Sequence, residues 1–554
     1  MEKIWMKNWP DDLPRELSYP LGEIPVHEYL RKNAANHPDK CLVSFYGRDV
    51  SYREVDTASD RLANYLRSKG LKKGDRVGLF LGNCPQYIIS HFAVLKLGGI
   101  VSPLNSMFRE MELKYQIGDC GMSAVISMDL FLPRLLNVLP ELPTVKTVVW
   151  TNFNDFLPAE PAMPLLDYMM VPRQDIKGAD DFMEIITAFD DTPVEVEIDL
   201  DKDIALIEYT GGTTGLPKGA MLAHRAHLFK PLCIAMTRYL TGDSIEVTTM
   251  PYFHIAGMTC MVGLVCYGAT NINITQFDPA ATLIAISNYK ATSIYMPVPN
   301  YVQLMRHPEF PNYDLHSLKY SLCTSFVISL SEQIADAWHR NTGSLLAEAA
   351  YGLSETHTAD TFMPFRNVRM GSCGLPTFQT EIFLRSMEDP TREVKIGEQG
   401  EILVRSPGCM KGYWNRPQAT AEAMWDGYVI TGDIGTIDDG GYLWWLGRFK
   451  EMIKVSGYSV FPEEVEALIN QHPQVLESAV IPVPDEKKGE VVKAFVVLHK
   501  DASLTEEALI AWARENMIPH KVPKYVEFRD SIPKSGVKLL RRVLRAEEEA
   551  KQAV

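Results

Sequence analysis

The run Tyr209-Thr-Gly-Gly-Thr-Thr-Gly-Leu-Pro-Lys-Gly219 follows a strand-like apolar stretch, IALIEY (204–209), and this pair decides how the rest of the chain is read. Gly211, Gly212 and Gly215 remove side chains, so backbone N–H groups can approach an anion. Thr210, Thr213 and Thr214 add hydroxyl donors and Lys218 adds a positive charge. The pattern is not a Walker loop, because Leu216 and Pro217 separate the last glycine from the lysine and Gly219 stands where Ser or Thr would be needed. A flexible Gly/Thr turn is the bland alternative. Eleven residues this specific favour a cradle for a polyphosphate.

Upstream of the loop, apolar residues recur at helical spacing from Val55 to Leu66, Gly70 supplies a stop, and RVGLFLG reads as a buried strand. A second helix, CPQYIISHFAVLKLGG, and a strand, IVSPLN, follow. This alternation predicts an α/β layered fold. Downstream, Met258 to Ile272 is the most apolar stretch, but its glycines and asparagines predict a buried helix running into a strand and not a membrane span. The texture changes near Gly447 to Glu451. Beyond it FPEEVEALI carries Pro462 suited to a first helical turn, SLTEEALIAWARENM opens with a Ser503/Glu506 capping box, and SAVIPVP and VVKAFVVLH read as strands. The expected division is a large unit over 1–449 and a small α+β unit over 450–554.

At 554 residues the chain exceeds what one core usually covers. Its net charge of −15 argues against nucleic acid as a partner, so any anionic ligand must be met by local geometry. Nine cysteines without a CxxC pair fit a reducing cytoplasm, and the N-terminus, MEKIWMKNWPDD, has no apolar core of a signal peptide.

The loop at 209–219 resembles the signature of the adenylate-forming superfamily, which includes acyl-CoA synthetases, luciferases and the adenylation domains of peptide synthetases. Four further motifs occur in that family's order: Tyr351-Gly-Leu-Ser-Glu-Thr356, Thr431-Gly-Asp-Ile-Gly435, Gly447-Arg-Phe-Lys-Glu-Met-Ile-Lys-Val-Ser-Gly457 and Pro533-Lys-Ser-Gly-Val-Lys538. The resemblance covers nearly the whole chain. It implies a large N-terminal domain of several subdomains, a small mobile C-terminal domain, and conversion of a carboxylic acid, ATP and coenzyme A to acyl-CoA, AMP and pyrophosphate through an acyl-adenylate.

The resemblance also implies roles. Thr210 to Lys218 would hold the β/γ-phosphates, and Glu355 would ligate Mg²⁺, a hard cation suited to oxygen donors. Ser354 stands where the family usually has Thr. Tyr351 looks like the aromatic that stacks on adenine, with Ala350 and Gly352 beside it, while Asp433 and Arg448 resemble the pair that binds the ribose. Lys450 matches the hinge about which the small domain turns between half-reactions. Lys454 would reach the adenylate and Gly457 would lie by the pantetheine arm. Lys538 resembles the lysine that bridges carboxylate and α-phosphate during adenylation. Its loop is one residue shorter than usual, which makes Lys534 an understudy and puts the placement of the amine in question.

For the acyl pocket, His254 lies in an aromatic/His motif, and Met258 stands where some long-chain synthetases carry a Trp gate. Phe326 and Val327 replace two glycines of a loop that flanks the acyl group in the family. Such insertions shrink a pocket, so the expected acid is short, medium-chain or cyclic. An aryl-CoA ligase, a catalytically weak nucleotide binder and an enzyme loading a carrier protein stay open as alternatives. A homodimer is expected from family habit.

Overall fold

The computed structural model describes residues 3–174, 176–210, 216–325, 330–456, 458–485, 488–500, 502–535 and 538–552, with the backbone alone at Ser459, Ser535, Lys538 and Gln552. Short apolar runs alternate with helices along the first two thirds of the chain, and they assemble into two seven-stranded sheets. The first runs, in spatial order, Asp180–Asp181, Thr147–Thr151, Ala124–Met128, Arg76–Phe80, Ile100–Pro103, Ile204–Thr210 and Lys218–Ala223. The second runs Leu345–Glu348, Tyr320–Thr324, Ser293–Pro297, Ile245–Thr248, Thr270–Asn273, Cys41–Phe45 and Arg48–Ser51. Each is parallel except for its last strand. Strands covered on both faces read as near-continuous apolar runs, as Ala124–Met128 does with all five residues buried and its one polar member, Ser127, bonded to Met128 O.

The helix Pro85–Lys96 is buried along all its 12 residues, its polar side chains included: Gln86 bonds Thr151 and Asn152 O, His91 bonds His227, and Lys96 pairs with Asp56 and Asp60. The helix read from 55 to 66 spans Tyr52–Ser68, opened by a Ser51/Glu54 capping box. Met258 and its neighbours form the helix Ile255–Cys266, followed by the strand Thr270–Asn273. Among the described residues no helix is long and apolar enough to cross a membrane.

A third, antiparallel sheet holds Glu381–Arg385, Gly400–Arg405, Tyr428–Ile437 and Met424–Trp425, with Leu443–Arg448 also paired to Tyr428–Ile437. Its register sets Asp433 opposite Arg448. After Leu443 the buried apolar residues belong to different clusters, beginning at Ile453, and these fill a small α+β unit. There Val475–Asp485 and Gly489–Leu498 form a long hairpin, Tyr525–Phe528 pairs parallel to its second strand, and Pro462 occupies the first turn of Pro462–Ile469. One expectation is corrected: the helix Glu506–Asn516 is capped by Thr505 and not Ser503, because the Thr505 hydroxyl accepts from Ala508 N, three residues on.

A chain of buried imidazoles ties the layers together. Thr259 donates its hydroxyl to Ile255 O at 2.6 Å, so it accepts from His357 Nδ1–H at 3.2 Å. His357 Nε2 then accepts from His227 Nδ1–H at 2.9 Å, and His227 Nε2 from His91 Nε2–H at 2.9 Å. The direction of the bonds requires His357 and His227 to be neutral, because each accepts at Nε2; His91 only donates, and burial keeps it neutral. Burial holds His91 and His357 down to about 3 and nearby His224 to about 4. A base whose folded value is depressed contributes stability that is complete above its unfolded value, about 6.5, and is lost as pH falls toward the folded value. The denaturation midpoint should therefore be flat above neutrality and fall steeply between about pH 6.5 and pH 4, and His357→Gln should flatten the slope, as followed by denaturant titration across that range.

Candidate functional site

Thr210 and Lys218 face each other across the antiparallel pair Ile204–Thr210/Lys218–Ala223, and Tyr209 faces Gly219. The glycine-rich loop therefore closes a hairpin; Gly211, Gly212, Thr213, Thr214 and Gly215 lie outside the described residues. Both ends of the loop are held by the helix Glu110–Cys120. The Tyr209 hydroxyl donates to Asp119 at 2.7 Å, the Tyr115 hydroxyl donates to Pro217 O at 2.7 Å, and Arg416 pairs with Asp119. A Cβ on Gly219 would fall 2.6 Å from Ile207, so only glycine fits where the return strand starts.

Beside this hairpin the segment 410–414 acts as a stitch. Trp414 N donates to Gly219 O, Lys411 N to Met221 O and Met410 N to Glu355 O, at 2.7 to 2.8 Å. Tyr413, between them, donates its hydroxyl to Glu355 Oε1 at 2.8 Å, and Lys218 Nζ lies 5.1 Å from the centroid of its ring. A cation from the phosphate-loop hairpin and a carboxylate from another loop thus meet on one aromatic ring. Behind them Glu208, in the strand leading to the loop, is buried; burial, with the Glu355 charge second, pushes its carboxyl well above the usual range.

The turn that carries Glu355, Ser354–Thr356, is followed by three successive residues in the left-handed region, His357, Thr358 and Ala359, at φ 58°, 56° and 46°. Each costs about 1 kcal/mol or more outside glycine. The conformation is held by a fully buried ion pair, Lys230 Nζ to Asp360 at 2.6 Å, with Lys230 also donating to Ala359 O at 3.1 Å and Thr356 to Asp360 at 2.5 Å. The loop folds back so closely that a Cβ on Gly352 would lie 2.5 Å from Ala359 N. Tyr351 is thereby fixed, and its hydroxyl donates to Asp433 Oδ2 at 2.7 Å. Arg448 Nε stands 2.8 Å from Asp433 Oδ1, and its Nη1 donates to Thr431 O at 3.3 Å. Burial raises the Asp433 carboxyl and Arg448 opposes that shift.

Lys450 lies in the exposed turn Phe449–Glu451. Lys454 is exposed, with its N–H on Glu490. Gly457 lies outside the described residues, as do Phe326 and Val327. Lys538 begins the second arm of a small hairpin, Lys534–Ser535/Lys538–Leu539, and the understudy Lys534 pairs with Glu477 of the same unit. His254 caps the helix Ile255–Cys266, its Nδ1 accepting from Ala256 N at 3.2 Å, and Met258 is fully buried. A cavity of about 30 Å³ lies beside Ala350, walled by Ala256, Cys260, Tyr295, Phe362 and Phe365. Ala256 and Cys260 reach it from the helix on which Met258 was expected to.

Tyr413, Asp119, Tyr115, Lys230 and Asp360 were missed from the sequence. The run Gly412-Tyr-Trp-Asn-Arg-Pro417 carries a signal for the first, with Gly412 at φ 130° and Pro417 opening a helix; the others have none. Lys230→Met leaves Asp360 charged and alone in the interior, so a loss of about 3–5 kcal/mol is expected. Lys230→Met with Asp360→Asn should recover most of it, both read from denaturant midpoints.

The family model for AMP-binding enzymes matches residues 30–414, and that for the AMP-binding enzyme C-terminal domain matches 464–538. A long-chain-fatty-acid–CoA ligase of Bacillus subtilis (strain 168) is 37% identical over 560 residues, covering 99% of this chain and 98% of that protein. A feruloyl-CoA synthase of Amycolatopsis sp is 34% identical, covering 93% and 96%. Among solved structures, the anthranilate CoA ligase AuaEII in complex with anthranoyl-AMP has a TM-score of 0.83 at 25% identity, covering 98% of this chain and 99% of that one. ATP-bound MatB from Rhodopseudomonas palustris has a TM-score of 0.83 at 26% identity, covering 95% and 99%. With the phosphate-loop hairpin, the Glu355 turn and the Tyr351–Asp433–Arg448 cluster in place, the chain belongs to the adenylate-forming AMP-binding enzymes and is an AMP-forming acyl-CoA synthetase, an acid–thiol ligase.

Proposed function

We propose that this synthetase activates a short or medium-chain fatty acid or a cyclic acid, and that the cavity beside Ala350 receives its acyl group. The narrowness of that cavity, about 30 Å³ between Tyr295, Phe362 and Phe365, carries the proposal. Its aromatic walls set the room available to an acyl group. The names of the curated relatives favour a longer chain, and the feruloyl-CoA synthase among them favours an aromatic one.

In this reading the acid's carboxylate attacks the α-phosphate of ATP, pyrophosphate leaves, and the thiol of coenzyme A then displaces AMP. Thr210, the glycine-rich loop and Lys218 hold the β/γ-phosphates. Tyr351 stacks on adenine between Ala350 and Gly352, with Ser354 near the phosphate. Asp433 accepts from the ribose hydroxyls while Arg448 donates to the same sugar. Asp433 is suited to this because Arg448 and Tyr351 already orient its two oxygens. Glu355 is a single hard carboxylate beside the phosphate-loop hairpin, a fit for Mg²⁺, which is commonly bound by one or two carboxylates plus phosphate oxygens and water. When bound, the ion supplies charge neutralisation on the phosphates. Tyr413 holds the Glu355 carboxylate in place.

Lys538 bridges carboxylate and α-phosphate, Lys454 and Gly457 serve the adenylate and the pantetheine arm, and Lys450 is the hinge. The proposed boundary, 449/450, is supported by the ion pairs on either side: Arg448 belongs to the large unit through Asp433, whereas Glu451 is tied to Arg541 of the last helix. We place the enzyme in the cytoplasm, as a homodimer.

Exchange of labelled pyrophosphate into ATP, run with Mg²⁺ and a series of straight-chain and ring acids, tests the substrate reading; the best kcat/KM should fall at medium chain length or below, and a maximum at palmitate or longer would sink it. Tyr413→Phe frees the Glu355 carboxylate and should slow exchange by about 10-fold or more, with a denaturation midpoint close to that of the parent. Lys538→Ala should abolish acid-dependent pyrophosphate exchange while leaving AMP binding intact, as measured by calorimetry.

A further inference from the structure

Arg238 follows the helix His224–Thr237, and only 8% of its side chain is exposed. It lines the same cavity as Ala350, the residue before Tyr351. A guanidinium carries five N–H donors, yet among the described residues this one has weak partners. Its Nη1 donates to the Cys260 thiol at 3.3 Å, Glu246 Oε1 lies 3.7 Å away, beyond a normal hydrogen bond, and the Tyr295 ring centroid is 4.8 Å off. No hydrogen bond from Nε or Nη2 is made to a described residue. A buried cation with its strong donors unmet is costly unless water or a ligand meets them.

We propose that Arg238 selects acids whose acyl group carries a neutral oxygen acceptor, a hydroxyl or a carbonyl, away from the carboxylate being activated. This rests on the reading of the cavity as the acyl site. The acceptor's oxygen takes the N–H groups that Arg238 leaves unmet. Charge decides against a second carboxylate. Arg238 and Glu246 already form a neutral pair, and Glu246 is held on its other oxygen by Ser293 at 3.0 Å, so a further anion would enter the interior uncompensated. An unsubstituted alkyl chain leaves the donors unmet, and a site built to bond a substrate oxygen discriminates against the analogue that lacks it.

The test uses the full-length enzyme and acid-dependent pyrophosphate exchange, with acids paired by carbon number: unsubstituted, hydroxy- or oxo-substituted, and dicarboxylic. The readout is the ratio of kcat/KM within each pair. The parent enzyme should favour the oxygenated acid by about 10-fold or more, and Arg238→Met should bring the ratio to one or below. Because Arg238→Met leaves Glu246 buried and alone, Arg238→Met/Glu246→Gln serves as a second variant free of that charge. A parent enzyme that prefers the unsubstituted partner, or a ratio unaltered in the double variant, would overturn the role of Arg238; a dicarboxylate outrunning both would overturn the neutral-oxygen preference. Failure of the chain-length reading shows up separately, in the unsubstituted series alone, and exchange with no acid at all would remove the acyl-site reading and this inference together.

Discussion

The turn that carries Tyr351 and Glu355 rests on one buried contact, the Lys230–Asp360 ion pair. Three consecutive left-handed residues, 357 to 359, are a conformation that a chain of L-residues does not keep unaided. Lys230 reaches them from the helix His224–Thr237, pairs with Asp360 and bonds Ala359 O. One turn earlier on the same helix His227 bonds His357, which Thr259 holds at its other ring nitrogen. These anchors fix the backbone directly after the turn that carries Glu355. Strain is thus stored at the functional turn and balanced by contacts in the interior.

The site is assembled from separate layers. The phosphate-loop hairpin comes from the edge of one seven-stranded sheet, Glu355 from the loop after the other, and Asp433 with Arg448 from the antiparallel sheet. Two short connections hold these parts in register: the 410–414 stitch, which bonds the hairpin to the Glu355 turn, and the Tyr351 hydroxyl, which bonds that turn to Asp433. The first combines three backbone hydrogen bonds with the Tyr413 hydroxyl on Glu355, and the second is the Tyr351 hydroxyl on Asp433. A tyrosine hydroxyl orients a carboxylate without neutralising it; at Asp433 the neutralising partner is Arg448.

In this acidic chain, with its net charge of −15, the cations around the site are each placed by a specific neighbour. Lys218 stands over the Tyr413 ring, Arg448 pairs with Asp433, and Arg238 lines the cavity near Glu246. The C-terminal unit uses its charges differently. Arg541 pairs with Glu451, Glu463 and Glu466, which fastens the first turn of that unit to its last helix, and this pairing opposes the upward push of burial on the Glu463 carboxyl.

The amino-acid sequence by itself determined the layered α/β class, the small C-terminal unit and the residues of the motifs, because strand and helix periodicities and the glycine spacing of the phosphate loop are local properties. It reached Tyr351, Asp433 and Arg448 only by resemblance, and it misplaced the cap at Ser503 because two hydroxyl residues, Ser503 and Thr505, both precede the helix. What only the tertiary structure decided was the pairing of distant groups. Tyr413 meets Glu355 across 58 positions, Lys230 meets Asp360 across 130, and Arg238 shares a cavity with Ala350. A lysine or tyrosine inside a helix or loop looks the same whether its side chain ends in water or in the interior; that difference is made by packing between sheets, and no stretch of local sequence records it.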